Sequence, residues 1–169
     1  WCDLTSPASV EELLNRAKTR GRLAGIIHAQ PLGPPTAVGL DPSAWAGRLG
    51  PEVRGLFLLA KAGAGDLARA ARQGGACLIA GTAMGGGFAS AEAPPEDFFP
   101  GQGGIAGLIK TLAREWPKSV RVRVVDLDPT LEPTFLAANL AREIESDDPN
   151  SEVGYVDRRR IVLRAVESE

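Results

Sequence analysis

The chain has 169 residues, 44% hydrophobic and 24% charged, enough to bury one sizeable core and too apolar for a disordered or fibrous protein. Nineteen basic against twenty-one acidic residues leave a formal charge of −2 and a pI near 5.6, without the basic footprint that nucleic acid or an anionic membrane selects. Apolar runs such as Gly55 to Ala60 fall far short of the roughly 20 residues of a membrane helix, and no signal peptide opens the chain, so we expect a soluble, cytoplasmic protein.

The first predicted element is a helix from Ser6 and Pro7, with Ser6 as cap, Glu11 and Glu12 near the positive end of the dipole, and Val10, Leu13, Leu14 and Ala17 on one apolar face. Leu23 to Ala29 reads as a strand buried on both faces, stopped by Pro31, Gly33, Pro34 and Pro35. Pro51 to Ala62 and Asp66 to Arg72 read as helical segments broken near Gly63-Ala64-Gly65. A second strand, Ala76 to Ala80, leads into a glycine-rich turn, and Ala91 to Gly104 is expected to be a long loop.

The stripe Ile105, Leu108, Ile109, Leu112, Ala113 and Trp116 predicts a helix ended by Pro117. Val120 to Leu127 is the clearest strand, Phe135 to Ile144 an amphipathic helix, and Ile161 to Val166 a final strand. Alternating strands and helices make this an α/β chain, with a Rossmann-like, mostly parallel sheet flanked by helices. We read residues 1–169 as one domain, and the abrupt start at Trp1-Cys2-Asp3 as that of a piece of a larger protein, truncated at the N-terminus.

Cys2 and Cys77 are too few for a disulfide framework, and a single histidine, His28, disfavours a His-based metal centre, so no metal is expected. In open α/β sheets ligands bind beyond the carboxyl ends of the strands, which directs attention to Asp3-Leu4-Thr5, to His28-Ala29-Gln30-Pro31-Leu32, to Gly81 through Gly87 and to Asp126 through Pro129. The glycines at 85–87 suit either a close backbone approach to a ligand or a flexible turn, and His28 either a base or a half-buried ring bonded to backbone. Asp126 and Asp128 could pair as carboxylates or serve a cap or turn, and Arg158-Arg159-Arg160 reads as a solvated turn.

Five segments then carry a resemblance. Asp3-Leu4-Thr5, GIIHAQ at 25–30, CLIAGTAMGG at 77–86, GGIAGLIKTLAREWP at 103–117 and VRVRVVDLDP at 120–129 resemble, in order and spacing, a short-chain dehydrogenase/reductase. More specifically they look like the ketoreductase domain of a modular polyketide synthase or a related fatty-acid or glycolipid synthase, as does the tail Glu152-Val153-Gly154-Tyr155 with its arginines. The resemblance implies NADP(H) as cofactor and a β-ketoacyl group on an acyl carrier protein as substrate, with other domains of the same synthase as partners. It places Asp3 and Leu4 by the adenine and His28, Ala29 and Gln30 along the ribose. Thr82 stands at the catalytic serine position and keeps its hydroxyl donor.

The departures concern the chemistry itself. Such a reductase needs a tyrosine to give a proton and a lysine to lower its pKa, since a phenol at about 10 is a poor acid near neutrality. Phe98 stands at the tyrosine position and Gln102 four residues on, while Tyr155, the one tyrosine, lies far downstream. The lysine segment reads Pro51-Glu52-Val53-Arg54-Gly55, with the carboxylate of Glu52 in place of the cation and Arg54 close by. The glycine-rich phosphate loop does not occur in the sequence, so NADPH should bind weakly or not at all. Two readings follow: a catalytically impaired or silent module that organises neighbouring synthase domains, and a reductase piece active when completed by its upstream half.

Overall fold

In a computed structural model, residues 1–33, 41–90 and 98–164 are described. Pro34 and Pro35, residues 91–97 of the expected long loop, and residues 165 and 166 of the expected last strand lie outside them. Helix α1 (Pro7–Lys18) begins at the Ser6 cap, whose hydroxyl accepts from the Ser9 N–H at 3.4 Å, and buries Val10 and Leu14. Glu11 and Glu12 lie beyond its first turn, so they do not serve the dipole as expected.

Strand β1 (Gly25–His28) occupies the middle of the predicted run. Helix α2 (Pro42–Leu49), which the apolar periodicity does not announce, follows, capped by Asp41, which accepts from the Ser43 N–H at 3.1 Å. A π-helical turn, Gly50–Arg54, leads into α3 (Gly55–Ala71). The expected break at Gly63-Ala64-Gly65 does not occur. Gly63 is buried where a Cβ would come 2.7 Å from Ile26 Cδ1, so this glycine admits β1 to the helix rather than ending it.

Strand β2 (Ala76–Thr82), helix α4 (Gly103–Glu115), strand β3 (Val120–Asp126) and helix α5 (Pro133–Glu145) fall where the periodicity places them. The chain then folds back as β4 (Glu152–Val156) and β5 (Arg159–Val162), joined by Asp157 and Arg158 at φ +48° and +62°, the two left-handed residues of a type I′ hairpin. The expected last strand is therefore the second arm of a hairpin. The sheet runs β1-β2-β3-β4-β5, parallel throughout except for β4 against β5.

Alternation along the central strands divides the core. Leu78, Ala80, Val122 and Val124 meet α1, α3 and α4 on one face, while Ile79, Val125, Leu127 and Val153 meet Leu136 and Leu140 of α5 on the other. On that second face Ile27 of β1 is 51% exposed.

Arg123, a charged residue in the midst of β3, is only 1% exposed. Its guanidinium donates to Glu143 Oε2 at 2.5 Å, to the Asn150 carbonyl at 3.0 Å and to the Asp148 carbonyl. Glu143 also accepts from Arg160 Nε at 2.8 Å and from the Tyr155 hydroxyl at 2.6 Å. Burial alone would raise the Glu143 carboxyl, but hydrogen bonds from Arg160 and Tyr155 and the charges of Arg160 and Arg123 hold it below its ordinary range. This web ties the hairpin to α5 and β3. The arginine run at 158–160 is thus more than a solvated turn: Arg158 lies over the Phe135 ring at 5.4 Å, and Arg160 is paired with Glu143 and Asp148.

Candidate functional site

Parallel registry brings the carboxyl ends of β1, β2 and β3 level. His28 lies beside Ala80, and Thr82 beside Asp126. The segments that follow β1, β2 and β3 therefore meet at one edge of the sheet, the place where a Rossmann-like fold holds its ligands, while Asp3-Leu4-Thr5 follows no strand among the described residues.

Glu52, at the expected lysine position, is 5% exposed. Its Oε1 accepts from Arg48 Nε at 2.6 Å and its Oε2 from Gln102 Nε2 at 3.1 Å. Gln102, 1% exposed, turns its own oxygen to the Ala83 N–H at 2.7 Å. Two positions that the resemblance assigns to proton chemistry thus bond to each other, and through Ala83 to the end of β2. His28 joins the same web: its Nε2 lies 2.7 Å from the Glu52 carbonyl, and burial pushes its pKa down despite that bond. It is bonded to backbone, as the plainer reading of this residue expects.

Phe98 is half-buried, and its neighbour Phe99 is 2% exposed. Trp45 meets the Phe99 ring edge-on at 4.9 Å, and the Arg48 guanidinium stands 4.4 Å above it. Arg48 therefore connects the aromatic cluster to the Glu52–Gln102 pair. The π-helical turn is what brings Glu52 inward, for Pro51 and Val53 beside it are half-buried and Arg54 is exposed.

Thr82 is fully buried, and its hydroxyl donates to Asp126 Oδ1 at 2.7 Å. The Asp126 carboxylate also takes the Met84 N–H at 2.8 Å and the Phe88 N–H at 2.7 Å. Burial raises the Asp126 carboxyl above its ordinary pKa, against the lowering effect of these donors. Asp128 instead closes a turn, accepting from Thr130 N at 2.9 Å and Thr130 Oγ1 at 2.7 Å, so the two aspartates do not form a carboxylate pair. Of the glycine run, Gly86 lies at φ +81° with a Cβ position only 2.0 Å from the Tyr155 carbonyl oxygen. Its close approach is to β4.

Asp3 is exposed and accepts from Thr5 N at 2.8 Å and Thr5 Oγ1 at 2.7 Å, bonds that hold its carboxyl below the usual range. Leu4 packs against Gly55, while Ala29 and Gln30 are exposed at the turn after β1. Tyr155 is fully buried, with its pKa pushed up to about 12 by burial and by the Glu143 carboxylate. A phenol so placed is no proton donor to the strand ends.

Of the positions that the resemblance assigns to a nicotinamide dinucleotide, Asp3 is bonded to Thr5, His28 to the Glu52 carbonyl and Leu4 is packed on Gly55, which leaves Ala29 and Gln30 exposed beside them. Among the described residues no group of three or more His, Cys, Asp or Glu could hold a metal ion, and no helix is long and apolar enough to cross a membrane.

No protein-family model matches the chain, and no curated protein does. Solved structures do. A multidomain structure of adenylation, ketoreductase and pseudo Asub domains from a keto acid-selecting NRPS module superposes with a TM-score of 0.68 at 16% identity, over 93% of this chain and 12% of that one. A metagenomic short-chain oxidoreductase in complex with NADP gives 0.66 at 21% identity, over 90% of this chain and 70% of that one. The 3-ketoacyl-(acyl-carrier-protein) reductase of Brucella melitensis, complexed with NADH, gives 0.57 at 19% identity, over 75% of this chain and 53% of that one. The chain thus spans about an eighth of the multidomain module. Its fold, a mostly parallel sheet flanked by helices, is the Rossmann-like fold of these oxidoreductases of the short-chain dehydrogenase/reductase superfamily.

Proposed function

We propose that this chain is a ketoreductase-like module of a multidomain synthase of the polyketide type, that it no longer reduces, and that it orders the synthase domains beside it. The observation that carries this reading is the Glu52–Gln102 pair. Where a reductase needs a cation beside a phenol, a carboxylate and an amide satisfy each other in a buried web, with phenylalanines alongside. Reduction of a β-ketoacyl group consumes one hydride from NADPH and one proton from the protein, and no side chain in this web is placed to give that proton. The ketoreductase-containing module among the structural neighbours supports a setting in which acyl groups arrive on a carrier protein.

Fluorescence titration with NADPH tests the reading, on the chain alone and within the longer protein from which we infer it comes. We expect no saturable binding to the chain and, in the longer protein, no binding that depends on Glu52 or Gln102. Saturable binding to this chain, with cofactor oxidation on adding a simple β-ketoacyl thioester, would establish an active reductase instead.

A further inference from the structure

The loop after β2 departs from ordinary backbone geometry. Gly85 and Gly86 lie at φ +85° and +81°, and two residues with side chains, Phe88 and Ala89, both at +54°. Each non-glycine residue in the left-handed region is disfavoured, so such a loop persists only where its surroundings dictate it. Changes of backbone handedness along a short segment also turn successive N–H groups inward, which makes a concavity for an anion. Here the donors are the Met84 and Phe88 N–H groups and the Thr82 hydroxyl. All converge on one buried carboxylate, that of Asp126, supplied by the neighbouring strand. On its other side the loop is seated on β4, since a Cβ on Gly154 would lie 1.9 Å from the Gly86 carbonyl oxygen.

We propose that residues 82–88 form a carboxylate-binding nest, filled by Asp126, which locks the loop over the carboxyl ends of β3 and β4, and which takes a small free carboxylate when that side chain is removed. The loop is then a fixed cap. Its amides become available to a ligand only where Asp126 is withdrawn, and the anion they favour is planar with two oxygens, because Oδ1 and Oδ2 are both engaged.

The test is Asp126→Gly titrated with sodium formate, with sodium chloride at equal ionic strength as control and the unaltered chain in parallel. We expect the variant to melt below the unaltered chain, and formate to raise its midpoint saturably while chloride does not. Equal responses to formate and chloride would overturn the proposal. Should the glycine variant not fold, Asp126→Asn keeps the side-chain volume but offers one acceptor oxygen in place of two. Hydrogen exchange at Met84 or Phe88 should then speed up about tenfold, with Leu78 inside β2 unchanged. Unaltered exchange at both loop amides would equally refute the nest.

Discussion

Replacing Glu52 by lysine restores the cation that a reductase would carry, yet here it should damage the fold. Glu52 is 5% exposed, so loss of its carboxylate leaves the Gln102 Nε2 donor with only the Pro31 carbonyl at 3.4 Å. An incompletely satisfied buried donor of this kind costs about 1–3 kcal/mol. The Arg48 bond contributes less, about 0.5–1 kcal/mol, because that side chain is 21% exposed and screened by water. A new ammonium beside Arg48 in a buried site adds about 1–2 kcal/mol more. The total, about 4 kcal/mol, corresponds to a fall in Tm of roughly 8–16 °C for a chain of this size. Thermal melts followed by circular dichroism read this directly. Glu52→Gln, which keeps volume and one oxygen, should fall between the two. A Glu52→Lys variant melting within about 2 °C of the unaltered chain would refute the reasoning, because about 4 kcal/mol cannot vanish in so small a shift.

Gly86→Ala should cost more than about 3 kcal/mol, since its Cβ would lie 2.0 Å from the Tyr155 carbonyl oxygen at φ +81°. Gly107→Ala, whose Cβ meets nothing within 4 Å on α4, should instead stabilise by about 0.5–1 kcal/mol, and urea midpoints of the two variants separate the cases. Asn-Gly in place of Asp157-Arg158 relieves two left-handed residues of the hairpin and should gain about 0.5–1 kcal/mol after loss of the Arg158 contact with Phe135; a lower urea midpoint would contradict the type I′ assignment. Glu143 is held below the ordinary glutamate value of 4.5 in the folded chain, so its contribution is present above that pH and disappears as the pH falls through the folded value. The stability gap between the unaltered chain and Glu143→Gln should accordingly narrow below pH 4.5, and a gap independent of pH would show that the charge on Glu143 does not hold the web.

Much of the fold was legible because burial imposes periodicity. The apolar runs of β1 and β2, the alternation in β3 and the stripe on α4 each identify an element from local residues. Helix α2 presents no apolar stripe to read, because it buries nothing, although Asp41-Pro42-Ser43 is a sound start signal. The continuity of α3 could not be read locally, since Gly63 answers to Ile26 on another element. Strand β4 was veiled by Gly154, whose bare backbone receives Gly86.

At the site, that Phe98 stands where the resemblance expects a tyrosine is read directly from the sequence. The pairing of the buried polar groups is not, because Glu52 and Gln102 are fifty positions apart and Thr82 and Asp126 forty-four. Sequence places these residues at the strand ends but does not say which partner satisfies which. The carboxylate that accepts the Thr82 hydrogen bond lies on the next strand, beyond the reach of local pattern.

The measurement closest to the proposed loss of reduction is hydride transfer itself. The longer protein, incubated with NADPH deuterated at the transferable position and a β-ketoacyl thioester, should return the ketone unlabelled, or lose all labelling when any separate reductase domain is inactivated. Deuterium at the β-carbon that survives such inactivation and disappears in Thr82→Val would contradict the silent module and make Thr82 part of a working site.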